Sequence, residues 1–147
     1  MRGRKRAATL KFEELEHTAD AGLRVFGNDL REILENAAEG MFSLIGTVKF
    51  EERDVVERRL EFPYDTAEEA LLQWLRALLL EFDLRGFFPV RVSLELQPAR
   101  AAALMHGITF DPQRHALRSE LKAVTQHGLR VRSRPGGGLE AEVIFDV

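Results

Sequence analysis

Apolar residues recur at helical three- and four-residue steps in two stretches of the chain. In the first, Leu30, Ile33, Leu34, Ala37, Ala38, Met41, Phe42 and Ile45 share one face, and Asp29 with Glu32 has the spacing of a capping box. This predicts a helix from about Asp29 to Leu44. In the second, Ala67, Leu71, Trp74, Leu75, Leu78, Leu79 and Phe82 make a broader apolar face. Asp65 or Thr66 caps its start after Pro63, and Gly86 ends it after Arg85. At this spacing Trp74 and the leucines read as core.

Elsewhere the period is two. Val90, Val92, Leu94 and Leu96 alternate with Arg91, Ser93, Glu95 and Gln97, and Val56, Arg58, Leu60 and Phe62 alternate less cleanly with Glu57, Arg59 and Glu61. A short N-terminal strand with Leu23 and Val25, then Leu121 to Thr125, Leu129 to Arg132 and Leu139 to Phe145, complete a mostly antiparallel set. The last two are joined by Arg134-Pro135-Gly136-Gly137-Gly138. That glycine run reads as a hairpin turn, because neither a helix start nor a Lys-Ser/Thr pair follows it, as a phosphate loop requires. Pro98 to His115 reads as an irregular excursion. The predicted class is α+β: a single two-layer domain in which a mostly antiparallel sheet packs against two main helices.

Size and charge narrow the picture. A chain of 147 residues buries roughly two thirds of its unfolded surface as one domain. We read residues 1–10 as a basic, disordered leader and residues 11–147 as the domain. Four of the 21 basic residues, Arg2, Arg4, Lys5 and Arg6, lie in that leader. The remainder carries 17 basic against 24 acidic residues, near −7, which argues against direct, purely electrostatic binding to nucleic acid. Neither a run of apolar residues long enough to span a membrane nor a signal-peptide core is present, so the expectation is a cytoplasmic protein without a membrane partner. The absence of cysteine excludes disulfides, thiolate nucleophiles and cysteine zinc sites, and leaves hard cations as the metals to consider.

The candidate chemistry is sparse. His17, His106, His115 and His127 have no helical four-residue pairing, and no serine sits in a strand-to-helix elbow, so a nucleophilic hydrolase has no visible support. The most polar cluster in a strand-like region is Glu16-His17-Thr18-Ala19-Asp20, by composition a turn in which Asp20 or Thr18 caps local backbone. At the other end, Asp146 stands one residue from the chain's final carboxylate and, in a strand, points away from Phe145 and Val147. If the first and last segments are neighbours in the sheet, Asp20, Asp146 and the oxygens of Val147 converge into a self-repelling pocket that a divalent cation neutralises.

Five blocks in order carry a resemblance that spans essentially everything after residue 10. They are Glu16-His17-Thr18-Ala19-Asp20, Asn36-Ala37-Ala38-Glu39-Gly40-Met41-Phe42, Leu71-Leu72-Gln73-Trp74-Leu75, Lys122-Ala123-Val124-Thr125 with His127, and the final Asp146-Val147. In these the chain resembles the archease family. The HTAD and KAVT blocks and the terminal aspartate-aliphatic pair carry most of the weight.

The resemblance implies a non-catalytic helper of an RtcB-type RNA ligase, which seals tRNA halves bearing 2′,3′-cyclic phosphate or 3′-phosphate and 5′-hydroxyl ends. The helper promotes guanylylation of the ligase and its multiple turnover, and meets RNA only through it. Carried over, the metal ligands fall on Asp20, Asp146 and Val147, with calcium the expected ion and magnesium or manganese the alternatives. Lys122 and His17 become partner- or phosphate-facing residues. Two positions depart from the family's pattern: Gln126 stands where tyrosine is common and Ile108 where glutamate is. The readings kept beside this one are a general protein chaperone or modulator of RNA-modifying enzymes, and a small metal-dependent hydrolase.

Overall fold

The computed structural model describes residues 10–16 and 20–147. The leader assigned to residues 1–10 therefore falls, but for an exposed Leu10, outside the described residues. Both helices form where the periodicity puts them. Helix α1 is Leu30–Ile45, and the Asp29 side chain accepts the Glu32 N–H at 2.9 Å. The Glu32 carboxylate reaches back one residue further than a capping box, to the Asn28 N–H at 3.0 Å. Helix α2 is Ala67–Arg85. Thr66, rather than Asp65, is its cap, accepting the Glu69 N–H at 3.0 Å, while Glu69 accepts from the Asp65 N–H at 2.7 Å. Gly86 ends α2 at φ 68°, a left-handed conformation that costs glycine nothing, and donates its N–H to the Phe82 carbonyl.

The strands are antiparallel throughout, but they form more than the one sheet expected. The largest sheet runs β1 (Phe12–Glu16), β2 (Ala21–Gly27), β10 (Leu139–Asp146), with both β8 (Ala123–Val124) and β9 (Arg130–Ser133) on the far edge of β10. A three-stranded sheet has the order β4 (Val56–Pro63), β6 (Arg100–Thr109), β5 (Phe87–Gln97). A two-residue pairing joins β3 (Gly46–Thr47) to β7 (Ala116–Leu117). The two helices contact both larger sheets: α1 lies against β2 and β5, and α2 against α1, β4, β5, β8 and β9.

Two strand expectations need correction. The excursion expected over Pro98–His115 is mostly β6, the central strand of its sheet; outside β6, Pro98–Ala99 is the turn from β5, and Phe110–His115 is irregular, with a turn at Asp111. Its Ala101, Ala103, Met105 and Gly107 alternate inward, but alanine and glycine carry little strand signal, so the sequence does not display the period. Small residues are what the centre requires: Ala101 lies between Phe62 and Leu96, and Ala103 between Leu60 and Leu94. At Gly107 a Cβ would come within 2.4 Å of the Phe88 carbonyl, beside the bulge at Pro89–Arg91. The strand expected over Leu121–Thr125 shrinks to the two residues of β8. The Arg134–Gly138 run is the β9–β10 hairpin turn, as expected.

One face of the large sheet joins the core through Leu23, Val25, Ala141, Val143 and Phe145, all essentially inaccessible. Its other face is a charge ladder in which Arg24 pairs with Glu13 and Glu142, and Arg132 with Glu140. Trp74 is fully buried, stacks on Phe62 and donates its Nε1–H to the Leu34 carbonyl at 2.8 Å, which satisfies the one polar atom that a buried indole carries. Phe42, Phe82, Phe88 and Phe110 meet edge to face or stacked, and His115 closes that cluster. His115 accepts the Asp111 N–H on Nδ1 and meets the Lys49 carbonyl with Nε2, so it is a structural histidine in its Nε2–H tautomer.

Candidate functional site

The candidate site sits at one end of the large sheet because three separate stretches of sequence end there. β2 and β10 are neighbours, with Leu23 opposite Val143 and, at the last pair, Ala21 opposite Phe145. One residue beyond that pair the two strands carry Asp20 and Asp146. The strand that follows Asp20 and the last strand are thus neighbours, and Asp146 continues the series Glu140, Glu142 and Ile144 that points away from the core. β8 joins from the opposite edge, pairing Val124 with Phe145 and Ala123 with Asp146. The Lys122 N–H donates to the Asp146 carbonyl at 2.8 Å.

Asp20, Lys122, Asp146 and Val147 are all exposed. His17 lies outside the described residues. Among the described residues, no three His, Asp or Glu side chains gather closely enough to hold a metal. A metal here would draw on two side-chain carboxylates and a main-chain oxygen of Val147, an all-oxygen set suited to a hard cation such as calcium or magnesium. The Asp146 carbonyl is already engaged by Lys122, which leaves its side chain as the donor. The chemistry of the donors therefore fits the ion, with few protein ligands.

Several groups near the site were not singled out by their sequence. The Thr125 hydroxyl donates to the Ile144 carbonyl at 3.1 Å, and Arg76 on α2 donates its Nε–H to the Val124 carbonyl at 3.2 Å. Thr125 was visible only as the last letter of the KAVT block, and Arg76 only as a polar position on an apolar helix. Of the two departures, Gln126 is exposed whereas Ile108 is buried in the core. A cleft of about 680 Å³ between α1 and β5, lined by Phe42, Val48, Phe88 and Val92 with Lys11 and Arg91, contains none of the four described candidate residues, Asp20, Lys122, Asp146 and Val147. A smaller one, about 210 Å³, holds Asp83 and Glu120. Burial, and then the Glu120 charge, pushes the Asp83 carboxyl above the ordinary aspartate range.

The order of the blocks and the fold that assembles them can be compared with known proteins. The model of the Archease protein family matches residues 12–147. The chain belongs to the archease family. It is 31% identical over 142 residues to the archease of Pyrococcus abyssi, covering 93% of this chain and 99% of that one. It is 34% identical to the archease of Thermococcus gammatolerans with the same coverage. Among solved structures, the solution structure of a Methanobacterium thermoautotrophicum protein superposes with a TM-score of 0.71 at 30% identity, over 93% of this chain and 99% of that chain. The crystal structure of a Thermotoga maritima archease, described as a possible chaperone, gives a TM-score of 0.65 at 24% identity over 99% of each chain, a likeness of fold. The shared architecture is α+β, two helices against antiparallel sheets, as the periodicity predicted.

Proposed function

We propose that this archease is a non-catalytic, metal-binding activator of an RtcB-type RNA ligase in tRNA splicing or RNA repair, acting in the cytoplasm. The observation that carries the reading is the meeting of Asp20, the KAVT block and Asp146-Val147 at one end of one sheet. Asp20, Asp146 and a main-chain oxygen of Val147 would hold the cation, which would supply positive charge where a nucleotide phosphate is to be placed. Lys122 adds an ammonium from the neighbouring strand, and His17 stands in the same block as Asp20. The partner performs the chemistry. RNA is met through the ligase, since the domain's net negative charge disfavours an independent grip on a phosphate backbone. The reading is tested by following covalent guanylylation of the ligase with labelled GTP. Adding this protein should speed adduct formation, and Asp146→Asn should not; equal rates with and without the protein would remove the proposal.

The chaperone reading keeps one observation of its own. Leu80 and Leu84, one turn apart on α2, are 55% and 66% exposed. Most of the helix's apolar face is buried, which leaves this pair as its support. Suppression of aggregation of an unrelated client, lost in Leu80→Ser, would favour it.

A further inference from the structure

The segment that carries Lys122 has almost no strand of its own to hold it. β8 is two residues long, and the chain on either side is irregular. Its placement rests on individual hydrogen bonds. The Lys122 N–H donates to the Asp146 carbonyl at 2.8 Å, and the Thr125 N–H to the Ile144 carbonyl at 3.0 Å. The Thr125 hydroxyl works in both directions: it donates to the same Ile144 carbonyl at 3.1 Å and accepts the His127 N–H at 3.2 Å. From the other side, Arg76 of α2 donates Nε–H to the Val124 carbonyl at 3.2 Å, a charge-assisted bond made by a side chain that otherwise lies in solvent.

We infer that Thr125 and Arg76 are positioning residues for the candidate site, pinning the Lys122 segment to the end of β10 from two sides so that the Lys122 backbone stays against that of Asp146. The inference rests on the proposed function, because what it positions is that site. The chemistry separates hydroxyl from shape. Valine has nearly the volume of threonine but can neither donate to Ile144 nor accept from His127, so the turn at Gln126–His127 loses its anchor. Serine keeps both bonds. Neither Thr125 nor Arg76 touches the proposed ion, so a loss of function in their variants reflects placement rather than a missing ligand.

The test compares Thr125→Val, Thr125→Ser and Arg76→Ala in the full chain, with Ile33→Val as a core control remote from the site. Amide hydrogen exchange at Lys122 and His127 and stimulation of the ligase are read together with Tm. Loss of one hydrogen bond corresponds to about tenfold faster local exchange, expected at both amides in Thr125→Val and at Lys122 in Arg76→Ala. Stimulation should fall by about tenfold in Thr125→Val, since small misplacements are costly to a site that works by orientation. Thr125→Ser should match the wild type, and Ile33→Val should lower Tm with stimulation intact. Full stimulation by Thr125→Val and Arg76→Ala, failure of serine to rescue, or an equal loss in Ile33→Val would overturn the inference. If Asp20→Asn and Asp146→Asn lose stimulation while the positioning variants keep it, positioning alone has failed; if those two also stimulate fully, the proposed function has failed with it.

Discussion

The Lys122 N–H lies 2.8 Å from the Asp146 carbonyl, so the segment before β8 and the end of β10 are joined through the backbone of two charged residues. That bond uses the backbone of both residues and neither charged side chain. In the proposed function the ammonium and the carboxylate face an external ion or phosphate, and both residues stand exposed, outside the apolar core.

Asp20 and Asp146 are exposed strand-end residues outside the apolar cluster. Asp20→Asn and Asp146→Asn should each abolish calcium binding in a calorimetric titration while leaving Tm within about a degree of the wild type, as surface substitutions away from packing usually do. Retained binding in both variants would contradict the ligand assignment.

Arg118 forms a two-pronged pair with Glu14, each bond 2.7 Å, linking the segment after β7 to β1. Those hydrogen bonds, with the guanidinium's charge, hold the Glu14 carboxyl below the ordinary glutamate range. The unfolded chain therefore takes up this proton at higher pH than the native protein. The stabilisation is present above the ordinary glutamate pKa and is lost as pH falls through the lower native value. Both side chains are largely solvated, so Glu14→Gln should cost only about 0.5 kcal/mol at neutral pH and nothing in strong acid, read from denaturant titrations at both.

Asp83 should behave with the opposite sign. Burial and the Glu120 charge raise its carboxyl in the native state, so ionisation costs the fold. The penalty is absent in strong acid, sets in as pH rises past the ordinary aspartate range and is complete above the raised native value. Asp83→Asn should raise stability at neutral pH by a few tenths of a kcal/mol, discounted for solvent screening, and leave it unchanged in acid. A destabilised variant at neutral pH would refute this.

Trp74 fills the space between α1 and β4 and satisfies the Leu34 carbonyl. Trp74→Phe removes that donor and leaves a void, and should cost about 1–3 kcal/mol in chemical denaturation. A cost below a few tenths would mean that the indole bond is not formed in solution.

How far the sequence reaches depends on what kind of residue carries the signal. Asp29, Thr66 and Gly86 bound the helices through local chemistry, and each forms the cap expected of its type. β6 was hidden because Ala101, Ala103 and Gly107 are chosen for the closeness of their neighbours, which only the assembled sheet reveals. The site divides in the same way. Asp20, Asp146 and Lys122 could be named from blocks of sequence, and their placement at one sheet end follows from the β2–β10–β8 order. Arg76 could not be named, because its role is a contact between α2 and a carbonyl 48 residues away. Thr125 looked like any strand threonine until its hydroxyl was seen shared between Ile144 and His127.

The central claim is that this protein restores turnover to a ligase rather than joining RNA itself. The most direct measurement is a ligation time course with the cognate RtcB-type ligase limiting, RNA in excess, GTP and manganese present, and this protein added below the ligase concentration. Product should plateau near one turnover per ligase without it and continue through many turnovers with it, while the protein alone yields no ligated RNA. Identical product yields with and without it would contradict the account.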